Sequence, residues 1–93
     1  MAVYVISYNL GNSEEKFQSV NKTIKECCYN ETWMHYIDNT WIIKSRLSAD
    51  EIGKRLSAAS SDEDSFIVVE ATNHFAGWLP KEAFDYLYTK IYR

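Results

Sequence analysis

Few side chains in this chain offer chemistry beyond packing: His35, His74, the adjacent pair Cys27 and Cys28, and Asn9 beside Tyr8. Either histidine titrates near neutrality and could serve as an acid or base. His35 lies between aromatic residues, where a lone histidine usually packs. His74 falls in the irregular segment Asn73-His74-Phe75-Ala76-Gly77-Trp78, of the loop type in which function concentrates. No nucleophile is legible near either ring, so a Ser-His or Cys-His catalytic pairing is not expected. A disulfide between neighbouring cysteines closes a strained ring and crosslinks nothing distant, and adjacent thiols are poor zinc spacing. Cys27 is therefore read as a small buried hydrophobe with Cys28 half exposed. Asn9 supplies only a neutral amide, a weak metal ligand. The acidic run Asp62-Glu63-Asp64 lacks the glycine and spacing of a calcium loop and reads as a solvated connection. Neither a metal nor a cofactor is expected.

Aromatic residues with nearby cations raise a different possibility. Trp33, Trp41, Phe75 and Trp78 could stack bases, with Lys44, Arg46 and Lys81 near phosphates, as in ferredoxin-like RNA-binding modules. The glycine-aromatic signature of those modules is missing, the isolated glycines make no phosphate loop, and a net charge of −3 gives no general attraction to a polyanion. Nucleic acid is thus disfavoured.

The 93 residues, 46% apolar and 25% charged, are expected to form one domain spanning 1–93. No apolar run is long enough to span a bilayer and no leader is legible, so a cytoplasmic protein that does not enter membranes is expected.

Residues 2–8 are β-rich and read as a first strand. Ser13, as N-cap with Glu14 and Glu15 behind it, opens a helix whose apolar stripe is Phe17, Val20, Ile24 and Cys27 or Cys28. Thr32–Ile37 and Thr40–Lys44 form a hairpin across Asp38-Asn39, setting Tyr36 opposite Trp41 and Met34 opposite Ile43, with Trp33, His35 and Ile37 on the other side. Ser48 and Glu51 form a capping box for a short helix carrying Ile52, Leu56 and Ala59, with Leu47 placed to staple against Ile52. Phe66–Ala71 is a last strand, apolar on both faces and so expected to be central or covered on both sides. Pro80 starts a terminal helix with the stripe Ala83, Phe84, Leu87, Tyr88 and Ile91.

This order implies an α+β, ferredoxin-like βαββαβ fold: a four-stranded antiparallel sheet of order 4-1-3-2 plus a C-terminal helix. Strand one is apolar on both faces, Val3 and Val5 against Tyr4, Ile6 and Tyr8. Two crossover helices cover one face only, so the second face must be covered by the terminal helix, a ligand or a second copy. A homodimer is the simplest answer.

Three segments, Tyr4–Leu10, Trp33–Trp41 and Gly77–Phe84, give the chain a resemblance to the small bacterial and mobile-element proteins labelled "SinR-like". That wider group is similar in fold to the small CRISPR-associated ferredoxin-fold nucleases and to virulence-associated protein D. The resemblance implies a homodimer. In the nuclease relatives an Asp ending the first strand holds a divalent metal; Asn9 occupies the matching position here and removes the charge that such a site needs. The leading expectation is therefore a non-enzymatic homodimeric module that binds a protein or nucleotide-like partner through the loop 73–78 and the hairpin. Its candidate binding residues are Tyr8, Asn9, His35, Asn73, His74, Trp78 and Lys81. The alternatives are a metal-dependent endoribonuclease and an inhibitor made by a mobile element against host defence.

Overall fold

The computed structural model of the protein describes residues 1–11 and 14–93; the expected cap at Ser13 lies outside the described residues. Four strands, β1 (Ala2–Asn9), β2 (Trp33–Ile37), β3 (Thr40–Ser45) and β4 (Ser65–Glu70), form one antiparallel sheet in the order β2-β3-β1-β4. Helices α1 (Glu14–Cys27) and α2 (Ala49–Ala59) follow β1 and β3. The terminal helix α3 (Lys81–Tyr86) runs on into a π-helical turn, Leu87–Ile91, which the Tyr92 N–H closes on the Leu87 carbonyl at 2.9 Å. No helix among the described residues is long and apolar enough to cross a membrane.

Alternation along β1 builds two cores. Tyr4, Ile6 and Tyr8 face the crossover helices and pack with Val20, Ile24, Trp41, Ile43, Ile52 and Leu56. Val3 faces the opposite way and packs with Met34, Ala83, Leu87 and Ile91. The capping box at Ser48 and Glu51 fixes the start of α2, and Leu47 packs on the helix-side core. In the terminal stripe Ala83, Leu87 and Ile91 are buried, whereas Tyr88 turns outward. The Lys44 ammonium donates to the carbonyls of Lys90 and Arg93, at 3.4 and 3.0 Å, and so holds the negative end of the terminal helix against β3.

Three expectations are corrected. The hairpin turn sits as expected, with Ile37 opposite Thr40, but a bulge shifts the register so that Met34 faces Ile42 and Trp33 faces Ile43. One extra residue exchanges the faces of the N-terminal half of β2. Trp33 and His35 therefore join Trp41 on the helix side, and Met34 joins the second face. The bulge is held by His35, whose ring stacks on Trp41 at 4.0 Å and whose Nε2 lies 2.7 Å from the Asp38 carbonyl; since that oxygen only accepts, Nε2 carries the proton.

The second correction concerns the cover of β4: this edge strand is not covered on both sides, with Ile67 60% and Val69 47% exposed. Its double-sided apolarity has a different cause: Phe66 and Val68 pack on the helix side, while Ile67 and Val69 face an uncovered part of the second face.

The third is the acidic connection. Asp62 and Glu63 are exposed, but Asp64 accepts from the Gly11 and Ser61 backbone N–H groups at 3.0 and 2.9 Å, and Lys16 lies 3.5 Å away. The Gly11 N–H, then the Ser61 N–H and hydroxyl and the Lys16 charge, hold the Asp64 carboxyl below its ordinary 3.8. A depressed folded pKa means that the stabilisation is complete above the ordinary value and is lost as the pH falls through the folded one. Urea midpoints measured from pH 6 to pH 2 are expected to fall less steeply in Asp64→Asn than in the wild type. Parallel profiles would contradict this clamp.

Candidate functional site

Two of the expected site residues meet at one place. The chain from Ala71 to Leu79 has no regular structure; it crosses the second face between β4 and α3 and leaves a cavity of about 400 Å³. The floor is Val5 and Ile42, neighbours in the β1–β3 register. Phe75, Leu79, Phe84, Leu87 and Tyr92 form the walls, and Ile37, His74 and Trp78 stand at the rim. Phe75 organises the aromatic wall, with ring centroids 6.4 Å from Phe84, 5.6 Å from Tyr88 and 5.5 Å from Tyr92. Burial pushes the Tyr92 phenol pKa up, so this ring is neutral and can serve as a hydrogen-bond donor at physiological pH. A cavity of this size and character, with a few polar groups at its margin, suits an apolar group from outside.

Trp78 is 97% exposed and Ile37 53%. With Ile67 and Val69 on the same face, they leave an apolar surface that α3 does not reach. Clustered exposed apolar side chains of this kind mark interaction surfaces.

The other expected site residues lie elsewhere. Asn73 and Lys81 are exposed and do not line the cavity. Tyr8 is buried on the helix side: its hydroxyl accepts from the Trp41 indole N–H at 3.3 Å and donates to Asn21 Oδ1 at 2.8 Å, with the Asp38 carbonyl at 3.2 Å as a further acceptor. It is a structural node whose hydroxyl is taken up by these bonds, and only an edge of the residue reaches the shallow depression beside Asn9. Asn9 is exposed opposite Ser65, in a shallow depression with Asn39 and Ser7. Among the described residues, no group of three or more His, Cys, Asp or Glu side chains is placed to hold a metal ion. His35 opens instead onto a groove along the outer side of β2, with Lys22, Lys25, Trp33, Tyr36 and Tyr86. The Lys25 ammonium stands 5.0 Å over the Trp33 ring and occupies the face that a base would need.

The expected stacking platform is thus divided between the two faces. Trp33 and Trp41 belong to the helix side, Phe75 and Trp78 to the second face. Cys27 and Cys28 are free, Cys27 buried and Cys28 half-buried. Burial, reinforced by the neighbouring Cys27, pushes the Cys28 thiol up to about 12, which leaves it un-ionised and unreactive.

From the sequence, Phe84 and Leu87 read only as part of a helical stripe and Val5 only as one face of the first strand, so that their meeting with Ile42 around a cavity is missed. The available signal was the surplus of apolar strand surface over the helices able to cover it. No known protein family, curated protein or solved structure matches the chain.

Proposed function

We propose that this chain is a non-enzymatic, homodimeric binding module of the ferredoxin-like kind that takes an apolar side chain of a protein partner into the cavity on its second face. The observation that carries the reading is the convergence of the 72–79 loop and the hairpin end, through Ile37, on one apolar cavity. A nucleotide-like ligand is less well matched, since its phosphate would seek a cation and no lysine or arginine lines the cavity. The strand order, read from the β4 edge as 4-1-3-2, supports the ferredoxin-like description. The likeness to the SinR-like proteins rests on the same three segments as before, all of which reach this cavity, through Val5, through Ile37 and through Trp78, Leu79 and Phe84. Catalysis by the nuclease route is disfavoured because Asn9 is neutral and its neighbours Asn39, Ser7 and Ser65 bring no negative charge.

Titration with the uncharged naphthalene dye prodan, without divalent metal, tests the reading. Saturable binding of one dye per chain is expected, weakened at least about tenfold by Val5→Phe, which fills the floor. RNA incubated with the protein and magnesium or manganese is expected to stay intact. Binding indifferent to Val5→Phe, or cleavage that disappears in Asn9→Ala, would overturn it.

A further inference from the structure

We infer that two copies of this chain join through β4, pairing antiparallel about a two-fold axis at Val68 to make a continuous eight-stranded sheet. The inference rests on the homodimeric reading above and names the surface that makes the dimer.

Hydrogen bonding shows which groups of β4 are available. In an antiparallel ladder alternate residues turn their N–H and C=O groups toward the same neighbour. The Ala71 N–H donates to the Val3 carbonyl at 2.8 Å, so Ile67 and Val69 also turn their polar groups toward β1. The Tyr8 N–H donates to the Asn39 carbonyl on the β3 side of β1, which requires the same alternation. Phe66, Val68 and Glu70 therefore turn theirs away from the sheet.

The two edges of the sheet differ. The outer edge β2 is interrupted by its bulge, one of the devices that deter pairing. Strand β4 has regular register and carries no proline, lysine or arginine. An edge of this kind is a ready template for another strand.

Two-fold symmetry then fixes the register. Pairing that keeps the faces of the two sheets continuous sets even-numbered residues opposite even-numbered ones. With Val68 opposite Val68 of the second copy, Phe66 meets Glu70, and these pairs exchange backbone bonds through the outward groups. Centring on Ile67 instead would set Glu70 against Asp64 of the other copy, a like-charge pair, and would use fewer of those groups. In the Val68 register Ile67 of each copy lies beside Val69 of the other, so the axis gathers four β-branched side chains that a single chain leaves exposed.

The helix side agrees independently. A groove beside β4 is lined by Asp50, Gly53, Lys54 and Ser57 of α2. Gly53 lies inside the helix, and a Cβ there would meet nothing within 4 Å. An interior helical glycine costs about 1 kcal/mol against alanine, and the single chain gives no packing reason for it. Across the axis, two antiparallel α2 helices could approach at Gly53 and set Asp50 of one against Lys54 of the other.

Charge-swap variants test the interface: Ile67→Lys with Val69→Lys, and Ile67→Glu with Val69→Glu. Both positions are exposed in the single chain, so each variant should fold. Sedimentation equilibrium at tens of micromolar is expected to give two chains for the wild type, one for either variant, and two for their equimolar mixture, because position 67 of one copy meets position 69 of the other. Amide exchange of the wild type supplies a readout that does not depend on the variants: the Phe66, Val68 and Glu70 amides are expected to exchange at least about tenfold more slowly at high than at low protein concentration. A dimeric wild type whose variants stay dimeric, a mixture that stays monomeric, or amides indifferent to concentration would overturn the β4 interface and leave the homodimer reading standing. A wild type that is monomeric throughout would overturn both.

Discussion

Trp41→Ala is expected to lower the free energy of unfolding by about 3–5 kcal/mol. The indole is 1% exposed, packs 5.1 Å from Trp33 and 4.0 Å from His35, and donates to the Tyr8 hydroxyl. Alanine would leave a cavity beneath the hairpin and take away the surface on which His35 pins the bulge. Against the roughly 5–15 kcal/mol that holds a typical domain, this is a large fraction, and the melting temperature should fall by more than about 12 °C. Urea unfolding followed by circular dichroism measures it. A loss below about 1 kcal/mol would mean that the indole does not anchor the hairpin to the helix-side core.

Leu87→Asp is expected to be at least as damaging, by a different route. Leu87 is 2% exposed, belongs to the core with Val3 and Met34, and forms a wall of the cavity. The change removes packing worth about 2–5 kcal/mol and adds a carboxylate with no cation in the surrounding core cluster, a further penalty. The terminal helix should detach from the second face, and the dye should then bind without saturation. Thr89→Asp is the matched control, since that residue is exposed, its hydroxyl bonds the Asp85 carbonyl of its own helix, and the change should alter stability by no more than about 1 kcal/mol. Equal effects at 87 and 89 would contradict the docking of α3.

Much of the architecture was legible because local chemistry and tertiary packing agree. The capping box at Ser48 and Glu51 marked the start of α2, and the double-sided apolarity of β1 required cover on both faces. Three features resisted. The bulge opposite Trp41 comes from His35 binding the turn carbonyl and stacking on the indole, contacts that the sequence pattern does not encode, and it exchanged the expected faces of Trp33, His35 and Met34. The bare second face of β4 was not legible because the apolarity of a strand does not tell whether another element lies over it. Asp64 looked like part of a solvated run because its partners, Gly11 and Lys16, are distant in sequence.

The site was partly legible for a related reason. His74 and Trp78 stood out by type and loop position and do line the cavity, whereas Tyr8, equally conspicuous, is buried among hydrogen-bond partners. Phe75 was noticed for its ring, but its part as the hub of an aromatic wall depends on Phe84, Tyr88 and Tyr92 arriving from the terminal helix.

Methyl-resolved NMR of the unaltered chain, with and without the uncharged dye prodan, locates the binding surface most directly. The expected result is a set of shifts at Val5, Ile37, Ile42, Leu79 and Leu87, the methyl groups that bound the second-face cavity. Shifts confined to Val20, Ile24, Ile43 and Leu56 on the helix side, or none at all, would contradict it.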